Sequence, residues 1–197
     1  MTRRPSGIRA LALVAALIIC LSLTAGCGQE QKRQTINESS SLFHIKIPAD
    51  WSSQAQQGLI AIYAAEEAPT SEELDNLSMG IFTTRDTTDS PVPEALSYVV
   101  EKRSQDRGWT AADISEPKIT QIGGREGAML EVAGTDAQGV EFRANYYFVR
   151  TSGAEVLVIA ASPAGQWDDH RQDVETIVAD EWYWHLPADT ESTTTAQ

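Results

Sequence analysis

Both cysteines of this 197-residue chain, Cys20 and Cys27, fall within its first 27 residues. Whatever folds after them does so without a disulfide, a thiolate zinc site or a cysteine nucleophile. A hydrophobic core must therefore hold it together. The apolar, periodic part of the chain spans residues 42–186. A domain of about 145 residues buries roughly 68–70% of its unfolded surface, which suffices without covalent staples.

The N-terminal residues have the layout of a secretory signal: Arg3, Arg4 and Arg9, then an apolar run from Ala10 to Leu23, then the small residues Ala25 and Gly26 before Cys27. The run is shorter than the ~20 residues of a comfortable membrane span, and a polar stretch follows at once, so cleavage is expected. Leu23-Thr24-Ala25-Gly26-Cys27 resembles a bacterial lipobox, with Thr24 standing where that motif usually has Leu. The resemblance implies cleavage between Gly26 and Cys27 and acyl chains, such as diacylglycerol and palmitate, on Cys27. Cys20 would leave with the signal. Arg3-Arg4 is followed by Pro5, Ser6 and Gly7 rather than by apolar residues, so the general secretory route is expected over the twin-arginine one. Gly28 is not the Asp that commonly retains such proteins at an inner membrane. The expected location is the extracytoplasmic face of the cell membrane or of an outer membrane.

Charge narrows the partners. The formal balance of −13 becomes −16 when three arginines and no acids are removed with the signal. A surface of that sign repels nucleic acid and anionic headgroups, so attachment to a membrane must come from acyl chains. The expected organisation is a signal peptide over residues 1–26, a lipidated cysteine and flexible polar linker over 27–41, an α+β domain over 42–186, and a disordered tail over 187–197.

Within the domain, Phe43 to Ile47 alternates as a half-buried strand does, Gly58 to Ala64 is apolar on both faces, and Ser78 to Thr83 makes a third strand. Glu66 to Asn76, acidic and broken by Pro69, reads as a loop. Ser90-Pro91 marks a helix start with Ser90 as N-cap and Pro91 in the first turn, Val92, Ala95, Leu96, Val99 and Val100 recur at helical spacing, and Gly108 ends the helix. Strands follow at Lys118 to Ile122, Gly127 to Ala133, Val140 to Val149 and Glu155 to Ser162, joined by short glycine-bearing turns. Val156 to Ala161 is apolar throughout and belongs at the sheet centre, covered on both faces. A last helix is expected from Gln166 to Trp182. The sum is an α+β fold with an antiparallel β-sheet of about six to seven strands flanked by two main helices.

This order of elements resembles the PsbP-like domains of bacterial lipoproteins, including the DcrB and LpqN types. The likeness rests on Phe43-His44-Ile45-Lys46-Ile47-Pro48-Ala49-Asp50-Trp51, the Gly123-Gly124 turn, Tyr146-Tyr147-Phe148, the apolar strand ending Ala161-Ser162, and the closing Trp167, Ile177 and Trp182. It implies an antiparallel sheet between helices and an accessory or binding role without catalysis, and it carries over no site residues.

Three constellations bear on chemistry. Asp168, Asp169, His170 and Asp173 share helical faces and could ligate a metal, although an acid-rich helix start, favoured by the macrodipole, accounts for them. Gly123-Gly124-Arg125-Glu126-Gly127 precedes a strand rather than a helix and reads as a hairpin turn, not a phosphate cradle. His44, His170 and His185 are scattered in sequence, and no G-x-S-x-G turn occurs. No cofactor site is expected. Trp182-Tyr183-Trp184 must turn at least one ring outward, which makes that triplet the candidate contact surface. A non-catalytic, lipid-anchored accessory or binding protein of the cell envelope, with an envelope protein as partner, follows best. A small-molecule or metal carrier is the alternative, and an envelope hydrolase the third class.

Overall fold

Phe43, Ile45 and Ile47 are fully buried along strand β2 (Phe43–Pro48), while His44 and Lys46 between them stay partly exposed. The computed structural model describes residues 32–68, 76–85 and 89–185. They belong to one unit of the chain that begins at Lys32. The signal peptide, Cys27 and the tail over 187–197 lie outside the described residues, as do positions 69–75 of the acidic loop.

Eleven strands and two α-helices are described: β1 (Arg33–Asn37), β2, β3 (Ser52–Gln56), β4 (Leu59–Tyr63), β5 (Ser78–Thr84), α1 (Val92–Arg107), β6 (Thr110–Ile114), β7 (Lys118–Ile122), β8 (Arg125–Thr135), β9 (Glu141–Thr151), β10 (Ala154–Pro163), α2 (Trp167–Ala179) and β11 (Trp182–Trp184). Eight strands form one antiparallel sheet in the order β3-β4-β5-β10-β9-β8-β6, with β7 pairing the first half of the long β8. The other three form a small antiparallel sheet, β1-β2-β11. The fold is α+β, as the sequence predicts.

The apolar strand β10 lies between β5 and β9 and is covered on both faces. Val156, Val158 and Ala160 join a core closed by α2 and the small sheet, with Val174, Ile177, Phe43 and Ile45 opposite them. Ile159 joins a second core under α1, where Leu96 and Val100 are fully buried against Leu130, Tyr146 and Phe148. Burial stabilises by about 1.5–3 kcal/mol for each such aliphatic side chain, so the two helices are fastened chiefly by their inner faces. Helix α1 ends at Gly108 in a left-handed conformation, as expected.

Four expectations need correction. Residues 33–37, assigned to the linker, form β1, whose Ile36 packs on the core. One isolated isoleucine gives no periodic signal, and the strand exists because β2 supplies its hydrogen bonds. Residues 38–42 are ordered around Glu38, whose buried carboxylate accepts from the amides of Ser40 (2.7 Å) and Leu42 (3.3 Å). The last helix stops at Ala179 rather than Trp182. There the amides of Asp180 and Glu181 both turn back to the Thr176 carbonyl, and the next three residues pair with β2. Strands β3 and β6 carry no alternating apolar signal, because they are sheet margins defined by pairing rather than by side-chain pattern. Finally, Ser90 does not cap α1. Pro91 occupies the cap position without a side-chain bond, and the Ser90 carbonyl instead accepts from Arg150 Nη1 at 2.7 Å.

Candidate functional site

Strand β11 alternates as a strand must: Trp182 is buried, Tyr183 faces outward at 37% exposure, and Trp184 is half-buried. Of the three candidate contact residues, therefore, only Tyr183 is a surface residue. Trp182 and Trp184 pack on Phe43, with ring centroids 4.4 and 5.5 Å away. The Trp184 indole N–H donates to the Ile122 carbonyl at 2.9 Å, and the Arg125 guanidinium lies over its ring at 5.2 Å. The Gly123-Gly124 turn, at φ of 54° and 77°, closes the β7–β8 hairpin against this cluster, and the Gly123 amide donates to the Val178 carbonyl at 2.9 Å. That is the hairpin turn expected of this glycine pair.

Outward from β2 and β11 stands a row of functional side chains. The Tyr183 ring stacks on His44 at 4.8 Å and 10°. Lys46 Nζ lies 4.9 Å from the centroid of the Tyr183 ring, and the Tyr183 hydroxyl donates to Glu181 Oε2 at 3.3 Å. His44 Nδ1 is 2.7 Å from His185 Nε2, the two rings 5.0 Å apart and inclined at 53°. The expectation of scattered histidines thus fails for this pair. Register explains it: His44 lies opposite Tyr183, and His185 continues the ladder by donating its amide to the Leu42 carbonyl at 2.9 Å, so both imidazoles emerge on the same face. The expected extension of the last helix to Trp182 hides this pairing from the sequence.

His170 lies elsewhere, its Nε2 3.1 Å from Asn76 Oδ1 and its ring edge-on to Trp51. The acids around it diverge: Asp168 lies 3.9 Å from Arg143, and Asp173 the same distance from Arg33. Among the described residues, no group of three or more His, Cys, Asp or Glu side chains converges as a metal site.

A groove of about 210 Å³ runs beside the N-terminal turn of α2, with Asp113, Glu131, Arg143, Asn145, Trp167 and Arg171 among its lining. Asn145, almost fully buried, donates from Nδ2 to the Tyr147 hydroxyl at 3.1 Å. Burial pushes the Tyr147 phenol up to about 12, so it stays a neutral hydrogen-bonding group. Arg171 is held to Glu175 at 2.8 Å, and that bond raises its pKa further.

Together the outward imidazoles, phenol and ammonium can stack, donate and accept on one face of the small sheet. Among the described residues, neither imidazole of the pair is bonded to a serine or threonine hydroxyl, as a nucleophile-activating base would be.

The family model described as serine/threonine kinase C-terminal domain matches residues 35–182. No curated protein sequence matches the chain. Among solved structures, the cyanobacterial PsbP protein (CyanoP) of Synechocystis sp. PCC 6803 is similar with a TM-score of 0.56 at 14% identity, covering 81% of this chain and 96% of that one. The Ran-binding protein Mog1p of Saccharomyces cerevisiae follows with 0.55 at 10%, covering 79% and 96%. LpqN of Mycobacterium tuberculosis, described as involved in cell envelope biogenesis, gives 0.50 at 11%, covering 80% and 86%. At these identities the likeness is one of fold, and the fold is PsbP-like.

Proposed function

The chain belongs to the serine/threonine kinase C-terminal domain family, and from that premise we propose that it is a non-catalytic binding module, anchored through Cys27 at the outer face of a bacterial membrane. The family name refers to a kinase, but neither H-R-D nor D-F-G occurs in this sequence, and phosphoryl transfer is not part of the reading. The carrying observation is the proximity of Cys27, in its lipobox-like context, to the first strand at Arg33. Six residue steps separate them, a reach of no more than roughly 20 Å even fully extended. The function is thus presentation of a folded surface close to the bilayer. A PsbP-like fold shared with a Ran-binding protein and with an envelope-biogenesis protein supports binding over catalysis. The partner proposed is another envelope protein, docking on the Tyr183 face.

Replacing Cys27 by Ser tests the anchor. The variant should accumulate as unprocessed precursor or leave the membrane fraction, and a processed, membrane-bound C27S protein would overturn the reading. A second reading, a small-molecule carrier, is favoured by the polar groove at Arg143 and Arg171. It predicts ligand-dependent thermal stabilisation growing as RT ln(1 + [L]/Kd). A flat response across a metabolite panel would count against it.

A further inference from the structure

We infer that the outer flank of α1 holds a docking groove for an extended, arginine-bearing peptide segment of a partner protein. The groove has a volume of about 370 Å³ and runs between α1 and the β6–β7 connection, lined by Pro93, Glu94, Ser97, Tyr98, Glu101 and Pro117. Three of the five large apolar side chains exposed among the described residues belong to this flank: Tyr98 at 66%, Ile119 at 59% and Ile114 at 40%. Register puts the two isoleucines there. Ile119 is the cross-strand partner of Ala128 and Ile114 that of Val132, and both partners sit in the core under α1, so both isoleucines emerge on the α1 side of the sheet. A single exposed apolar residue needs no explanation, whereas three around one groove mark a contact surface.

Charge selects the occupant. Glu94 and Glu101 stand four residues before and three after Tyr98, so they flank it one turn to either side on one helix face. No Lys or Arg lines the groove, and neither glutamate is in a salt bridge among the described residues. The Ser97 hydroxyl donates back to the Pro93 carbonyl at 3.1 Å, which leaves charge recognition to the two glutamates. An aromatic face between two carboxylates suits a guanidinium, which stacks on the ring while its N–H groups reach acids on either side. The two prolines are rigid apolar walls, and an extended proline-containing segment packs against them and the tyrosine with little conformational entropy to lose. A second copy of this chain is a poor occupant, because its formal charge of −13 sets acid against acid. This surface is separate from the Tyr183 face: α1 covers one core of the large sheet, and the small sheet carrying Tyr183 closes the other.

The test uses the full chain, ¹⁵N-labelled, purified in a non-ionic detergent and titrated with acetyl-Leu-Pro-Arg-Pro-Leu-amide or with the same peptide carrying citrulline, the neutral isostere, in place of arginine. The arginine peptide should shift the amides of Ser97, Tyr98 and Glu101 saturably, and citrulline should weaken binding about tenfold, the loss of one charge-assisted hydrogen bond. Glu94→Gln combined with Glu101→Gln should abolish that preference and bind both peptides equally. Tyr98→Ala should weaken the arginine peptide at least about threefold. Glu66→Gln combined with Glu67→Gln, which removes the same charge beyond β4 toward the opposite margin of the large sheet, should bind as wild type does. Circular dichroism checks that each variant is folded. Absence of saturable shifts at these amides would overturn the groove. Equal loss in the E66Q/E67Q pair would overturn it too, assigning the binding to net charge alone. A dimer in sedimentation that Y98A dissociates would assign the flank to a second copy instead.

Discussion

Gly123→Ala probes how the β7–β8 turn and the tryptophan cluster depend on each other. Gly123 has φ of 54°, and a Cβ there would sit 2.7 Å from the Trp182 carbonyl oxygen and 2.9 Å from both Trp182 Cδ1 and Trp184 Nε1. The backbone oxygen cannot rotate aside, so β11 must shift. Left-handed backbone costs an L-residue roughly 1–2 kcal/mol. The shift also strains two bonds, from the Gly123 amide to the Val178 carbonyl and from the Trp184 indole to the Ile122 carbonyl. Each is worth about 1 kcal/mol. The expected loss is therefore about 3–4 kcal/mol, a large share of a domain's ~5–15 kcal/mol. Gly124→Ala supplies the control, because its φ is 77° but nothing lies within 4 Å of its Cβ. It should lose only the backbone term of roughly 1–2 kcal/mol. Guanidinium unfolding followed by tryptophan emission reads both variants. Equal losses within about 0.5 kcal/mol would refute the argument that the turn is docked on β11 by close contact.

Tyr147 predicts an alkaline transition. Its folded pKa of about 12 exceeds the ordinary 10.0 because of burial, so its contribution is complete below pH 10 and disappears as pH rises toward 12. Two units correspond to roughly 3 kcal/mol. Tyr147→Phe should flatten the stability curve across that window, and parallel curves would contradict the assignment. Glu38→Ala should cost about 3 kcal/mol, since a hydrogen bond to a charged group is worth about 1.5–3 kcal/mol and Glu38 accepts from two backbone amides, the second a long one at 3.3 Å. Amide exchange in β1 should accelerate with it. Unchanged protection at Gln34 to Asn37 would show that the strand is not held by this carboxylate.

The legible parts of the fold were those in which side chains themselves carry the period. Phe43, Ile45 and Ile47 announced β2, the unbroken run from Val156 to Ala161 announced a central strand, and Leu96 with Val100 announced the inner face of α1. Segments held by pairing alone were not legible. Arg33–Asn37, Ser52–Gln56 and Thr110–Ile114 contain too little apolar pattern to be seen without their partners. Trp182-Tyr183-Trp184 was visible as an aromatic cluster, but its helix-like neighbourhood concealed that it pairs with β2.

By itself the sequence determined how this domain must be stabilised. Cysteine position excludes covalent staples, and the residues up to Cys27 carry the lipobox-like pattern. Only the tertiary structure decided which distant groups meet. His44 and His185 are 141 positions apart, and nothing local in either stretch requires the other. Their contact follows from the register of β11 on β2, which is set where Trp182 and Trp184 fill the space around Phe43 beneath the small sheet. Register is a property of two strands and the core between them, so one strand's sequence cannot state it.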